Sequence, residues 1–280
     1  VQWLYLSEHS CSKKKGGRQA RLNQIKLLAM TTGDPLSVKL YETVLHFVPM
    51  NIPRDTRIGI FVTSLFLQFF GALFYFVLFT DTGFVQLFYS ATKVLMIVVP
   101  VALIVSKFKL PRLLFKENAL MSLVYGVVSG VLMSGFILGA FFTFYDTFFT
   151  YSSNILAKVI EVGILPYYFW VAIGISVFHS LFEELFWRWY AVHGLQNFLS
   201  PLSAMLIGAG LFALHHYVLL SQFVSWELTL LFGTLVGVGG LIWSWMYKKT
   251  GSILSAWVSH AIVDATLFSI GYLLIQSITQ

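Results

Sequence analysis

The chain has 280 residues, of which 58% are hydrophobic and only 11% charged, with 27 Phe and a mean hydropathy of +0.79. Soluble domains carry roughly 25% charged residues, so this composition excludes a soluble globular enzyme and predicts an all-α polytopic integral membrane protein. The net charge of +6 reports topology, because the cations cluster between apolar segments; it is not a nucleic-acid footprint, and no nucleic-acid partner is expected.

Residues 1–56 differ in composition from the rest and are expected to form a cytoplasmic basic tail. Val1 to Ala29 includes the basic run Lys13 to Gly17 and lacks the signal-peptide order of charge, apolar core and small cleavage site. The chain opens on Val, and Met30 is a candidate for the physiological start. Leu36 to Val48 places Leu36, Leu40, Val44 and Phe47 on one stripe, which predicts an amphipathic helix lying on the bilayer. The single Cys11 excludes an intrachain disulfide framework and a zinc ribbon.

Residues 57–280 are expected to form one membrane-embedded domain. A span needs about 20 apolar residues, and seven segments qualify: Ile58 to Phe79, Phe84 to Val105, Ala119 to Phe144, Leu165 to Glu184, Leu202 to Leu220, Leu228 to Tyr247 and Ile253 to Ile275. Cytoplasmic loops retain an excess of Lys and Arg. With the N-terminus inside, the cytoplasmic side collects the nine basic residues before the first span, then Lys107, Lys109, Arg112 and Lys116, then Arg188, Lys248 and Lys249. Lys158 falls outside, and Lys93 lies within a span, where it faces a cavity or snorkels.

Three apolar segments carry polar groups that need an explanation, since ionised groups at membrane depth are costly unless paired or hydrated. Glu183, Glu184 and Arg188 form E-E-x-x-x-R. Arg188 stands four residues after Glu184, so an intrahelical ion pair neutralises that carboxylate and leaves Glu183 as a base. Phe212 and His216 form F-x-x-x-H, with His215 adjacent. Neighbouring helical side chains diverge by about 100°, so only one of the two histidines is expected to face Glu183 well. His260 and Asp264 form H-x-x-x-D, in which the carboxylate can orient the imidazole. His179 shares a helix face with Glu183 and is a weaker candidate, while His193, His46 and His9 read as interfacial or tail residues. Gly237 to Gly240 lies inside a span with no preceding strand, so it predicts close helix packing and not a phosphate loop. Neither G-x-S-x-G nor H-E-x-x-H occurs.

Three motifs in this order resemble the CAAX prenyl protease 2 family, also called the CPBP or Abi family of intramembrane proteases, over roughly residues 165 to 270. The resemblance implies an intramembrane endopeptidase acting on a membrane-associated protein or peptide, prenylated and of CAAX type in eukaryotic members. Many bacterial members are linked to bacteriocin self-immunity. By position, Glu183 would activate water together with His216, His260 and Asp264 would stabilise the oxyanion, and Glu184 and Arg188 would hold the base. The family has been described both as zinc-dependent and as metal-free. Zinc, if bound, is expected at Glu183, His216 and His260; a mechanism without any cofactor is favoured, since the paired glutamates and Arg188 supply a base and its support.

Two departures stand out. Trp187 and Trp189 flank Arg188 where relatives keep Phe and Gly, and Asp264 replaces the Asn of the prenyl-protease branch. An ionised Asp cannot donate to an oxyanion, so Asp264 is either protonated or orients His260. As segmented, Glu183 falls too close to the inner end of its span to meet His216, so either the fourth span starts later and continues past Trp189, which is favoured, or Gln196 to Ser203 dips into the membrane. The rival readings are a non-catalytic immunity or scaffold protein of the same fold and an ion- or proton-coupled transporter, and a bacterial inner membrane is the expected location. The charge bias makes a direct prediction: a reporter fused after Lys249 reads cytoplasmic and one near Asp146 reads external, and the opposite result at both sites inverts the topology.

Overall fold

In a computed structural model, residues 53–79, 83–105 and 119–279 are described, and their regular structure is entirely helical. The expected Leu36 to Val48 helix, nearly all of the basic tail and the loop from Lys107 to Lys116 lie outside the described residues. In chain order the helices are α1 (Arg54–Ser64), α2 (Leu67–Leu78), α3 (Gly83–Val105), α4 (Ala119–Thr143), α5 (Tyr145–Phe149), α6 (Ser152–Glu161), α7 (Leu165–Leu195), α8 (Pro201–Leu220), α9 (Trp226–Thr250) and α10 (Ile253–Thr279). Each predicted span falls on helix. Among the described residues, α4, α7, α8, α9 and α10 are each long and apolar enough to cross a bilayer, and α1 with α2 qualifies as a pair bent by 42°. Five spans, or six with the bent pair, are therefore counted where the sequence predicts seven. The remaining predicted span falls on α3, which has 23 residues with Pro100 near its end.

Helix boundaries follow local chemistry. Ser200 caps α8 by accepting a hydrogen bond from the Ser203 amide at 3.2 Å, with Pro201 in the first turn. Gly251 ends α9 in the left-handed region at φ 64°, just after Lys248 and Lys249, a conformation that glycine adopts without a Cβ penalty and a charge placement that suits the helix C-terminus.

Polarity is distributed inside out. Leu120, Leu132, Phe136, Phe169 and Trp170 point outward, whereas Glu183, Glu184, Arg188, His215 and His260 are buried. That is the arrangement of a polytopic membrane protein, in which ionisable side chains turn to the bundle interior and lipid meets the apolar surface.

Small residues bring the backbones together. Ser122, Gly126, Gly130 and Ser134 line the buried face of α4, a small-residue ladder at every fourth position, and α10 packs along it. A Cβ on Gly126 would lie 2.9 Å from the Ser255 carbonyl oxygen, and one on Gly130 would lie 3.1 Å from the Ser259 Cα. Thr266 Oγ1 adds a 2.8 Å hydrogen bond to Ser134 Oγ. The Gly237 to Gly240 stretch of α9 meets α8 in the same manner: a Cβ on Gly237 would stand 3.2 Å from the Ala213 Cβ, and one on Gly240 would stand 3.0 Å from the Phe212 ring.

The α7 helix is irregular where it matters. Two π-helical turns, Ile175–His179 and Leu185–Val192, bracket one α-helical turn, Ser180–Glu184, which carries both glutamates. A π turn leaves carbonyls poorly satisfied within the helix, and Trp257 Nε1 of α10 donates to the Val177 carbonyl at 2.8 Å. The helix runs on past Trp189 to Leu195, as the depth argument requires, but it begins at Leu165 and not later as expected. At 1.5 Å per residue Glu183 then lies about 18 Å from the α7 C-terminus and His215 about 21 Å from the α8 N-terminus, so the two reach one level.

The α4–α10 contact yields a stability prediction. Gly130→Leu forces bulk against Ile262 and against the Ser259 backbone, which cannot swing aside. The variant is expected to lose about 1–3 kcal/mol, the usual range for overpacking, read as a lower midpoint in detergent unfolding. An unchanged midpoint would show that the helices separate freely there.

Candidate active site

Glu184 sits at the centre of a closed hydrogen-bond set. Arg188 Nε donates to Glu184 Oε2 at 2.8 Å and Nη2 to Oε1 at 3.2 Å, and His260 Nδ1 lies 2.9 Å from the same Oε1. Glu184 and Arg188 are both 0% exposed. The guanidinium lies over the Phe212 ring at 4.7 Å and the Trp243 ring at 5.6 Å, where cation–π attraction replaces part of the lost hydration. Trp243 in turn stacks on His260 at 4.1 Å with planes 17° apart, fixed by a 3.0 Å bond from its Nε1 to Ser259 Oγ. Arg188 is thus an interior partner of Glu184 and not one of the cytoplasmic-end cations among which the charge pattern counts it. Trp187 and Trp189 are buried beside it.

Glu183 faces the other way, into a group of histidines. His179 Nε2 lies 3.3 Å and His215 Nε2 3.4 Å from Oε1, and His260 Nε2 lies 3.9 Å from Oε2. Glu183, His215 and His216 each bring a ligand-type atom within 4.8 Å of the others. His216 Nδ1 is 2.8 Å from the Phe212 carbonyl oxygen. A carbonyl only accepts, so Nδ1 carries the proton and Nε2 keeps its lone pair. Both ring nitrogens of His260 face carboxylate oxygens, with Asp264 Oδ1 3.5 Å from Nε2.

The six residues singled out from the sequence therefore gather at one place, through three helices. Asp264 stands beside the imidazole it was expected to orient. Two expectations need correction. The histidine closest to Glu183 is His215, at 3.4 Å, and not the expected His216, which joins it within 4.8 Å. The 100° divergence applies at the backbone, whereas these rings reach forward until their centroids are 4.0 Å apart, with His215 laid flat on Trp187 at 5.8 Å and 3°. The expected zinc set of Glu183, His216 and His260 is also not the tightest one. His260 is held by Glu184 and Asp264, and His215 takes its place beside Glu183 and His216. The available signal for His215 was Trp187, four residues beyond Glu183 and ready to serve as its stacking platform. His179, a weaker candidate, touches Glu183, while His193 packs its ring against Tyr247 at 5.2 Å, away from the cluster.

The bundle thus encloses a buried centre of glutamates and histidines. Residues 165–266, which hold all six residues, match the family model described as Type II CAAX prenyl endopeptidase Rce1-like, and the match supports the CAAX protease/CPBP family for that segment. Neither the curated proteins nor the solved structures contain a match. The helices before Leu165 fall outside the matched segment.

The Glu184 pair sets a testable stability requirement. Removing Arg188 strands a carboxylate in the bundle interior, so Arg188→Met is expected to cost about 3–5 kcal/mol, as for other broken buried pairs. Replacing both partners, as Glu184→Gln with Arg188→Met, should recover part of that loss in the same unfolding assay. A single variant as stable as wild type would mean that His260 alone suffices.

Proposed function

We propose that this protein is an intramembrane endopeptidase that cleaves a peptide bond in a membrane-associated, CAAX-type protein or peptide, with Glu183 as the general base. The observation that carries the reading is the division of labour between adjacent carboxylates: Glu184 is bound by Arg188 and His260, while Glu183 is turned toward His179, His215 and His216. In the proposed reaction Glu183 removes a proton from water as its oxygen attacks the scissile carbonyl, with His216 Nε2 helping to hold that water. His260, oriented by Asp264 and Glu184, donates toward the developing oxyanion. Collapse of the tetrahedral intermediate breaks the C–N bond, and the proton taken by Glu183 passes to the leaving amine. The basic-residue bias supports a site open to the cytoplasm.

The residues also fit a metal. Glu183, His215 and His216 supply one carboxylate and two imidazoles, the donor types of many catalytic zinc sites. Zinc there would supply a polarised water and make Glu183 a ligand instead of the base. The metal-free route is preferred because the Arg188 and His260 contacts give Glu183's neighbour a fixed position that leaves Glu183 available.

The test uses purified protein and a prenylated CAAX peptide. Glu183→Gln is nearly isosteric and cannot take the proton, so it should abolish cleavage while membrane insertion is retained. His260→Ala should lower turnover by roughly 10²- to 10³-fold, the usual loss of one oxyanion donor. Strong chelators should leave activity intact. Full turnover by the Glu183 variant would overturn the base assignment, and stoichiometric zinc whose removal stops activity would replace the metal-free route.

A further inference from the structure

Outside the matched segment, a second polar pair borders the site. Lys93 of α3 donates to Gln68 Oε1 of α2 at 2.8 Å. An ammonium only donates, so this bond fixes the Gln68 amide with its oxygen toward Lys93 and its nitrogen away. Gln68 is 2% exposed, and its Nε2 is buried without a hydrogen-bond partner. Such an amide donor is costly to leave unsatisfied and asks for an acceptor. The α2 helix packs on α3 and on α8, which carries His215 and His216, and α3 itself packs on the Ser180–Glu184 turn that carries Glu183. A cation and an amide donor therefore stand next to each other at the edge of the catalytic cluster, and water activation uses neither.

We infer that Lys93 and Gln68 form a carboxylate-binding subsite that takes the C-terminal carboxylate of the peptide, making the enzyme selective for a free chain end. The inference rests on the protease reading for its substrate and on the Lys93–Gln68 geometry for its chemistry. A carboxylate offers two planar acceptor oxygens, one for the ammonium and one for the amide N–H. A peptide end entering an apolar bundle brings an anion that is expensive at that depth unless a cation meets it. It would also arrive near Glu183, where a further negative charge is tolerable only beside a positive one. An acidic side chain close to the scissile bond has the same chemistry, and the experiment separates the two sources.

Three short apolar peptides serve as probes: one with a free C-terminal carboxylate, its C-terminal carboxamide, and the carboxamide with Glu as last residue. Cleavage and binding are both measured on wild-type protein, Lys93→Met, Lys93→Arg and Gln68→Glu. Wild type should prefer the free acid over the carboxamide by roughly 10- to 100-fold, the range for a charged buried hydrogen bond. Lys93→Met should lose that preference and Lys93→Arg keep most of it. Gln68→Glu, which pairs with Lys93 and is expected to fold, should lose it too. Restored affinity in the Glu-ended carboxamide would assign the subsite to an acidic side chain and overturn the chain-end assignment. Equal handling of acid and carboxamide by wild type, or an equal loss on both in Lys93→Met, would overturn the subsite. If no peptide is cleaved but the free acid binds selectively through Lys93, the protease reading fails and the carboxylate site stands.

Discussion

Two neighbouring carboxylates in a membrane interior are tolerable only if each is given a distinct environment, and the Arg188 guanidinium makes that distinction. It claims both oxygens of Glu184 within α7, and His260 from α10 closes on the same group. The cluster then extends by contact: Phe212 and Trp243 cover the guanidinium, Trp243 covers His260, and Ser259 holds Trp243. Three helices beside α7 are registered against one ion pair. Glu183, on the adjacent position, is left for the histidines.

The pair sits in an unevenly wound stretch of α7. An unbroken α-helix keeps a constant angular step, whereas the π turns on either side of Ser180–Glu184 reset the direction in which residues before and after the glutamates point. His179, Glu183, Glu184, Trp187 and Arg188 turn toward the cluster from a helix on which Phe169, Trp170 and Phe178 face outward. Trp257 stabilises the first of these turns from α10, so the winding of the glutamate helix and the position of the histidine helix are mechanically joined.

Much of this was legible in the sequence because membrane chains simplify the problem. Spans announce themselves by length and apolarity, and ionisable residues within them are conspicuous: Glu183, Glu184, Arg188, His216, His260 and Asp264 could be picked out with no knowledge of packing. Helical spacing of four predicted both the Glu184–Arg188 pair and the His260–Asp264 neighbours. What escaped was set by tertiary contact. His215 was undervalued because angular divergence along a helix says nothing about how far an imidazole reaches when a tryptophan lies beneath it. Gln68 gave no signal at all, since an amide in an apolar segment acquires meaning only when the bend between α1 and α2 and the approach of α3 set Lys93 against it. Arg188 was counted with the topogenic charges because a hydropathy profile cannot distinguish a cation at a helix end from one enclosed by aromatic rings.

The ladder of Ser122, Gly126, Gly130 and Ser134 on α4 also bears on what the unit of inheritance is in this architecture. The helix that presents His260 rests on a helix outside the matched segment 165–266, at distances that admit no side chain on one partner. The matched segment is therefore not a transplantable cassette. A lineage that exchanges its N-terminal helices must either preserve that smooth groove or re-seat the histidine helix, so diversity in the flanking spans is constrained by clearance and not by chemistry.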